Sequence, residues 1–313
     1  MTLPTRRIGD LEVSAVGLGC MPMSFPGMID QRERAIATIH RALDLGITML
    51  DTANVYCPTW DTMGHNEALI AEALRTYSGG ANLADVLVTT KGGITLHPDD
   101  EGGRDSSPAG LRAACEASLG QLGVSVIELY QHHRHDPSLS YADQMGALLG
   151  LRDAGLIRRI GLSNANASEL DVALEVLGGP DDGGVVSVQN EYSPRFREDA
   201  DVLARCTELG IAFLPWSPLG GSEQAHEVGS HYAAFAEVGA EIGASAQETI
   251  IAWLLTVSPV IIPIPGATRS ATVDSIVRAL TFDLSSEQFE RLQATVPANE
   301  SVFPDPLPRS PLR

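Results

Sequence analysis

A short apolar run followed by a helical pattern recurs eight times along this chain of 313 residues. The runs are continuous and rich in Val, Ile and Leu, which is typical of parallel strands buried on both faces of a sheet. Glycine follows several of the helical patterns, as at Gly46, Gly123 and Gly155, because it takes the left-handed cap position without steric cost. Eight such units predict an α/β fold, a (β/α)8 TIM barrel that spans residues 1–313 as a single domain.

The predicted strands cover residues 15–20, 47–51, 86–90, 126–131, 157–162, 185–188, 211–214 and 260–264. The predicted helices cover residues 32–45, 66–77, 107–122, 141–154, 167–177, 197–209, stretches of 231–256, and 270–280. Two alternating runs around Gly9 predict an N-terminal β-hairpin. From Pro297 onward a proline-rich C-terminal tail is expected to run over the surface, where it can reach the barrel mouth. A doubly wound sheet is disfavoured because no GxGxxG motif follows the first strand.

Composition and charge exclude several classes of function. Acidic residues outnumber basic ones 40 to 21, for a net charge of −19, whereas nucleic-acid binding requires a basic patch. No apolar run approaches the roughly 20 residues of a membrane span, and the amino terminus has no signal-peptide run. We therefore expect a cytoplasmic protein with neither nucleic acid nor membrane as a partner. The sequence does not indicate an oligomeric state. The four cysteines form no CxxC pair, so no metal site is predicted.

Polar side chains follow several of the predicted strands, at the end where a barrel carries its active site. Asp51 ends one run, Tyr56 lies in the loop after it, and Lys91 and His133 follow the next two runs. Gln189 follows a later run. Each of these residues alone could be structural, but their recurrence in register predicts one polar cluster at the mouth.

An acid site can be built from these residues. Tyrosine, with a pKa of about 10, is a poor proton donor near neutrality unless a cation lies beside it. Lowering that pKa by two units requires about 2.7 kcal/mol, and an ammonium about 4 Å away supplies up to about 4 kcal/mol. We expect Lys91 to lower the pKa of Tyr56 and Asp51 to hold the lysine. His133 can donate a hydrogen bond to a substrate oxygen that becomes anionic. Such a site suits reduction of a carbonyl by an external hydride.

Seven motifs in order along the chain strengthen this interpretation: DTANVY, TTKGG, LYQHHR, IGLSN, VQNEYS, LPWSPLGG and IPIPGATR. From about Gly17 to Leu280 the chain resembles the aldo-keto reductase superfamily. The resemblance implies a catalytic tetrad of Asp51, Tyr56, Lys91 and His133, with Tyr56 as the general acid. His132 is expected on the opposite face of its strand, and His135 in a loop.

The same resemblance implies NADPH (NADP+) as cofactor, with NADPH favoured over NADH. Ser163, Asn164 and Gln189 would hold the nicotinamide carboxamide, and Trp216 would stack under the ring where the family usually has tyrosine. Ser217, Leu219 and Gly220 would follow the pyrophosphate, and Gly266, Thr268 and Arg269 the adenosine phosphate end. Ser275 and Ile276 stand where the family often carries an acid or amide and then asparagine, a departure that weakens the expected adenine contacts.

The small-molecule carbonyl substrate is less constrained. Met23, Phe25 and Trp60 lie in loops after early strands and are expected to line the mouth, whereas Trp253 is expected in the core. Such a pocket suits aromatic or aliphatic aldehydes and ketones, but a polar sugar-like substrate could use His97, Asp99 and Arg104. The long loops 97–106 and 220–230 are candidate lids or plain insertions.

Three functions are compatible with this pattern. The first is an NADPH-dependent carbonyl reductase. The second is a cofactor-sensing regulatory or interaction protein on the same barrel, since some members of the resembled superfamily act as channel-associated subunits. The third, unrelated hydrolytic or isomerase chemistry, is disfavoured because no nucleophile motif or metal cluster is present in the sequence.

Overall fold

The computed structural model describes residues 3–98, 102–221, 225 and 228–313. The strands within these ranges are β1 Thr5–Ile8, β2 Leu11–Ser14, β3 Leu18–Gly19, β4 Met49–Asp51, β5 Leu87–Gly92, β6 Ile94–Thr95, β7 Gly103–Arg104, β8 Ile127–His132, β9 Ile157–Ser163, β10 Val185–Gln189 and β11 Ala212–Phe213. Seven of them are parallel and form one curled sheet in the order β11-β10-β9-β8-β5-β4-β3, beside two separate antiparallel pairs, β1–β2 and β6–β7.

Helices follow the strands as the alternating pattern predicts, which makes the fold a (β/α)8 barrel. They are α1 Arg32–Asp44, α2 His65–Thr76, α3 Pro108–Leu122, α4 Tyr141–Asp153, α5 Ala167–Leu177, α6 Ala200–Leu209, α7 Val228–His231, α8 Ala233–Ile242, α9 Ala246–Val257, α10 Ser270–Ala279 and α11 Ser286–Gln293. Ser107 caps α3 by accepting a hydrogen bond from the Gly110 amide at 3.0 Å, with Pro108 in the first turn. No helix in the described ranges is long and apolar enough to cross a membrane.

The strand predicted at 260–264 is not a continuous strand in the described structure, and this corrects the sequence prediction. The segment bridges β11 on one side and β3 on the other through isolated contacts. Its carbonyls at Pro263 and Pro265 accept hydrogen bonds from the amides of Gly17 (2.9 Å) and Gly19 (3.0 Å). Proline has no amide hydrogen to return, so the ladder cannot continue. The segment nevertheless closes the barrel at the eighth position.

The predicted N-terminal hairpin is present as β1 and β2, with Gly9 in the turn at φ 58°. Ile8 and Val13 are buried against side chains inside the barrel, among them Val186. Asp10 in the turn pairs with Arg159 of β9 at 2.6 Å. The hairpin therefore closes the amino end of the barrel and leaves the carboxyl ends of the strands for the site.

One helical prediction needs adjustment, the predicted stretches at 231–256 are resolved into separate helices, and one helix was not predicted. The helix predicted at 197–209 begins only at Ala200, and the helical stretches at 231–256 divide into α8 and α9 around Gly243, which has φ 74°. Helix α11 was not predicted, although Ser285 and Gln288 form a capping box at its start. Trp253 of α9 is fully buried and stacks on Tyr192 at 6.1 Å, so the prediction that it lies in the core is confirmed.

The tail from Pro297 has no helix, as predicted, but it is anchored along the barrel mouth instead of running freely over the surface. Glu191 after β10 accepts hydrogen bonds from the Ser301 hydroxyl at 2.6 Å and the Val302 amide at 3.1 Å. Farther along, the Ser310 hydroxyl donates to the Asp136 carbonyl at 2.7 Å. These contacts make the tail part of the mouth.

The two candidate lids fall partly outside the described residues. In the first, β7 pairs with β6 as a short antiparallel ribbon, and Asp99 lies outside the described ranges. In the second, residues 222–224 and 226–227 lie outside them, and α7 follows. Whether either loop acts as a lid stays a prediction.

Candidate active site

A buried lysine organises the polar cluster at the mouth. Lys91 near the end of β5 is fully buried. Its ammonium donates to both carboxylate oxygens of Asp51 at 2.8 and 3.0 Å, to the Thr52 carbonyl at 2.8 Å and to the Tyr56 hydroxyl at 3.1 Å. A buried ammonium needs such compensation, because removing it from water without partners is costly. The structure therefore brings three of the four predicted catalytic residues into direct contact.

Asp51 is held by Gln189, which the sequence placed in the polar cluster, and by two further residues that were not identified from the sequence. The amide of Gln189 donates to its Oδ1 at 2.8 Å, and the Thr89 hydroxyl at 3.0 Å. Gln131 contacts the same oxygen at 3.4 Å and donates to the Thr89 hydroxyl at 2.9 Å. Thr89 and Gln131 lie on β5 and β8 and face the barrel interior. Their alternation with outward-facing neighbours was the sequence signal that could have identified them.

His133 completes the cluster, with its ring edge-on to Tyr56 at a centroid distance of 5.8 Å. Burial lowers the pKa of His133 well below its usual value, and the positive charge of Lys91 lowers it further. The imidazole is therefore neutral near neutral pH. His132, by contrast, faces away from the cavity and contacts the Ser106 hydroxyl at 2.9 Å, and His135 contacts the Pro308 carbonyl in a loop at 2.9 Å.

The pKa of Tyr56 is raised, not lowered as expected from the sequence. Burial disfavours the phenolate, and this effect outweighs the opposing influence of the Lys91 ammonium. The sequence argument counted the charge of the lysine but not the loss of water around the phenol. Tyr56 thus holds its proton across the neutral range.

Tyr56 and His133 line a cavity of about 220 Å³ at the carboxyl end of the barrel. The cavity is also lined by nine further residues predicted from the sequence: Phe25, Asp51, Ser163, Asn164, Gln189, Trp216, Ser217, Leu219 and Gly266. Its wall includes four residues not singled out from the sequence: Gly19, Pro22, Arg134 and Phe303. Arg134 could have been found as the neighbour of His133 in the LYQHHR motif. Phe303 belongs to the tail, whose path has no sequence signal.

Two residues on the cavity wall adopt an unusual backbone conformation. Asn164 has φ 57° and Ser217 has φ 46°, a region that residues other than glycine rarely occupy. The Asn164 amide donates to the His133 carbonyl at 3.0 Å, and its oxygen accepts from the Trp216 indole at 3.1 Å. The Ser163 hydroxyl donates to the Gln189 carbonyl at 2.9 Å. Backbone strain of this kind is typical of functional sites, and the hydrogen bond from the indole to Asn164 fixes the orientation of Trp216.

Two predicted substrate residues lie elsewhere. Met23 is buried in the core cluster that includes Ile39 and does not line the cavity among the described residues. Trp60 is 42% exposed in a short 3-10 turn outside the cavity. Both residues follow early strands, but the turn that carries Met23 packs it into the core, and the turn that carries Trp60 leaves it toward solvent. Of the three predicted substrate residues, Phe25 is the one that reaches the cavity.

Gly266 lines the cavity, whereas the other two residues predicted at the phosphate end, Thr268 and Arg269, lie beyond it in the described structure. Arg269 is exposed at the start of α10, and no acid pairs with it within the described ranges. Thr268 is half-buried beside it, and Gly220 forms part of the turn after Trp216 with φ 79°. Ser275 and Ile276 both face the protein: the Ser275 hydroxyl donates to Glu248 at 3.0 Å, and Ile276 is in the core.

The aldo/keto reductase family model matches residues 15–297 of this chain. The chain belongs to the aldo/keto reductase family. Members of this family are oxidoreductases, and this aldo-keto reductase is an oxidoreductase as well. An uncharacterised oxidoreductase of Schizosaccharomyces pombe is 33% identical over 291 residues, which cover 92% of this chain and 88% of that protein.

Solved structures show the same fold at lower identity. An aldo-keto reductase from Klebsiella pneumoniae in complex with NADPH is 22% identical, with a TM-score of 0.78 over 98% of this chain and 100% of that one. A glycerol dehydrogenase from Gluconobacter oxydans is 24% identical, with a TM-score of 0.79 over 98% and 99% of the two chains. At these identities the likeness establishes the barrel.

Proposed function

We propose that this aldo-keto reductase reduces an aldehyde or ketone to an alcohol with NADPH, and that Tyr56 is the general acid. The observation that carries the proposal is the contact of the Tyr56 hydroxyl with the buried Lys91 ammonium at 3.1 Å, on the wall of a cavity that also holds His133. Acid, cation and hydrogen-bond donor converge there. Together these groups can stabilise and protonate the carbonyl oxygen once hydride reaches the carbon.

The residues around the cavity fit the cofactor. Ser163, Asn164 and Gln189 line the cavity, and their hydroxyl and amide groups would offer both donors and acceptors to a carboxamide. The Trp216 indole offers a flat face whose orientation is fixed by its bond to Asn164. Arg269 supplies an exposed guanidinium at the start of α10 for a phosphate. When bound, NADPH supplies the hydride.

The protonation states assign the proton donor. A neutral His133 has no imidazolium proton to give, so it can hold the carbonyl oxygen with an N–H but not protonate it. Tyr56 keeps its proton at neutral pH and can transfer it to that oxygen as the hydride arrives. The phenolate that remains is stabilised by the Lys91 ammonium, which Asp51 holds in place. Hydride on carbon and proton on oxygen complete the alcohol.

The test is the rate of NADPH oxidation with a panel of aldehydes and ketones, measured for the native chain beside Tyr56→Phe. We expect the variant to bind NADPH with a similar Kd, followed by fluorescence, and to lose most of the turnover, about 100-fold or more. Turnover that survives in Tyr56→Phe would remove the tyrosine from the acid role. Tight NADPH binding without turnover in the native chain would instead favour a cofactor-sensing role.

A further inference from the structure

We infer that the carbonyl substrate carries a carboxylate, and that Arg134 is the residue that binds it. This inference deepens the proposed function and rests on it. Arg134 follows His133 directly and lies on the same cavity wall as His133 and Tyr56. A guanidinium is suited to a carboxylate because its planar array of N–H groups can donate two parallel hydrogen bonds.

Arg134 stands out among the charged groups of the cavity. The other charged side chain on the described part of the wall is Asp51, whose charge is offset by its contact with Lys91. His133 is neutral. In a chain of net charge −19, a cation on the wall of the catalytic cavity is not explained by general composition. It therefore points to an anionic group in the cavity.

The tail holds this guanidinium in place without neutralising its surroundings. Arg134 donates to the Phe303 carbonyl at 2.8 Å and pairs with Asp305 at 3.2 Å, and its side chain is 14% exposed. Asp305 also pairs with Arg104 at 3.1 Å. Two guanidinium groups thus share one carboxylate, which leaves this cluster of Arg104, Arg134 and Asp305 with an excess positive charge.

Glu191 is an acid that feels the charge of Arg134, and its hydrogen bonds are directed to the tail. It is buried and accepts from the Ser301 hydroxyl and the Val302 amide. Burial raises its pKa, so it is a weaker counter-charge than an ordinary glutamate. Arg134 lies on the cavity wall with His133, and after burial and the charge of Lys91, the positive charges of Arg134 and Arg104 also lower the pKa of His133.

The test compares 4-formylbenzoate with its methyl ester, two aldehydes of similar size that differ in charge. We expect the native enzyme to favour the carboxylate about tenfold or more in kcat/KM, as loss of a charge-assisted hydrogen bond would predict. Arg134→Met should bring this ratio of kcat/KM values to about one. Arg134→Lys should retain part of the preference, because it keeps the charge without the planar fork.

Two further variants separate charge from tail anchoring. Asp305→Asn removes the shared carboxylate and should raise the preference for 4-formylbenzoate. Arg195→Met, a matched control, removes an arginine that anchors the tail through Glu300 at 3.2 Å but does not line the described cavity wall, and it should leave the ratio unchanged.

The outcomes distinguish the proposed reductase function from the proposed role of Arg134. Turnover of the ester without preference for the carboxylate, or an unchanged ratio in Arg134→Met, would overturn the role of Arg134 and leave the reductase intact. Absence of turnover for both aldehydes, with NADPH bound, would overturn the proposed function and this inference together. Loss of the preference in Arg195→Met as well would assign the effect to the tail as a whole.

Discussion

At the scale of single residues, burial sets the protonation of both groups that face the carbonyl. The pKa of His133 is held well below its usual value of about 6.5, and that of Tyr56 above its usual value of about 10. Neither group changes charge between pH 6 and 9. We therefore predict that kcat/KM for carbonyl reduction is flat over this range when measured by NADPH oxidation. An inflection near pH 6.5 that disappears in His133→Asn would contradict this prediction.

The Lys91–Asp51 pair is predicted to stabilise the fold only as a pair. Lys91→Met leaves the Asp51 carboxylate buried without its cation, and we expect the free energy of unfolding to fall by about 3–5 kcal/mol. The double variant Lys91→Met with Asp51→Asn should regain a substantial part of that loss, since no buried charge remains. Urea unfolding of the two single variants and the double variant provides the measurement. Strictly additive losses would show that the two side chains are not coupled.

Arg269 is predicted to distinguish the two nicotinamide cofactors. Its exposed guanidinium is available for the 2′-phosphate that NADPH carries and NADH lacks. We expect Arg269→Ala to raise the Kd for NADPH about 10-fold to 100-fold, which corresponds to a charge-assisted hydrogen bond, and to change the Kd for NADH little. Fluorescence titration of both cofactors tests this. Equal losses for the two would remove Arg269 from the phosphate role.

At the scale of elements, the sequence predicts best where periodicity and side-chain chemistry agree. The apolar runs ending at Asp51 and near Lys91 are strands, and the polar residues at their ends meet at the mouth. The run at 260–264 is equally apolar, but Pro263 and the following Pro265 lack the amide hydrogens that a strand ladder needs. The apolar pattern alone therefore predicts a continuous strand that does not form. Apolar character predicts burial, and hydrogen-bonding capacity decides the element.

The contact of α2 with β5 supplies a prediction about stability. Glu67 of α2 is fully buried and accepts a hydrogen bond from the Thr90 hydroxyl at 2.5 Å. Burial raises its pKa, so the folded protein favours the protonated form more than the unfolded chain does. Stability from this group is present below the unfolded pKa, about 4.3, and is lost as pH rises through the folded pKa.

Glu67→Gln keeps the shape and hydrogen-bonding capacity of the neutral acid at every pH. We therefore predict that the variant gains stability relative to the native protein as pH rises from about 4.5 to 7. Urea unfolding at several pH values measures the difference. A variant that loses stability relative to the native chain over this window would show that Glu67 is stabilised as a carboxylate.

At the scale of the whole molecule, the tail joins parts of the mouth that come from distant strands. It contacts Glu191 after β10, Arg134 after β8 and Arg104 of β7. None of these pairings follows from the sequence, because a proline-rich segment has no periodicity that would place it on a particular surface. The catalytic cluster is predictable because each member lies at the end of a strand or in the loop that follows it. The outer wall of the cavity is not, because it depends on where an irregular segment lies.

The net charge of −19 is a property of the whole surface, and we predict that it makes stability depend on salt. Like charges repel in the compact state, and salt screens them, with a Debye length that falls from about 30 Å at 0.01 M to about 10 Å at 0.1 M. Salt also weakens the surface ion pairs, but exposed pairs contribute only about 0–1 kcal/mol each. With 40 acids against 21 bases, relief of repulsion should dominate and raise the Tm.

Thermal unfolding at neutral pH from 0.01 to 0.5 M NaCl tests this balance. We expect the Tm to rise with salt at pH 7 and to rise much less near pH 4.5, where protonation of carboxyl groups brings the net charge closer to zero. The pH comparison separates screening from a general effect of salt on apolar burial, which would act at both pH values. A Tm that falls with salt at pH 7 would mean that specific ion pairs, such as Arg159 with Asp10 and Glu128, outweigh the repulsion of the surface.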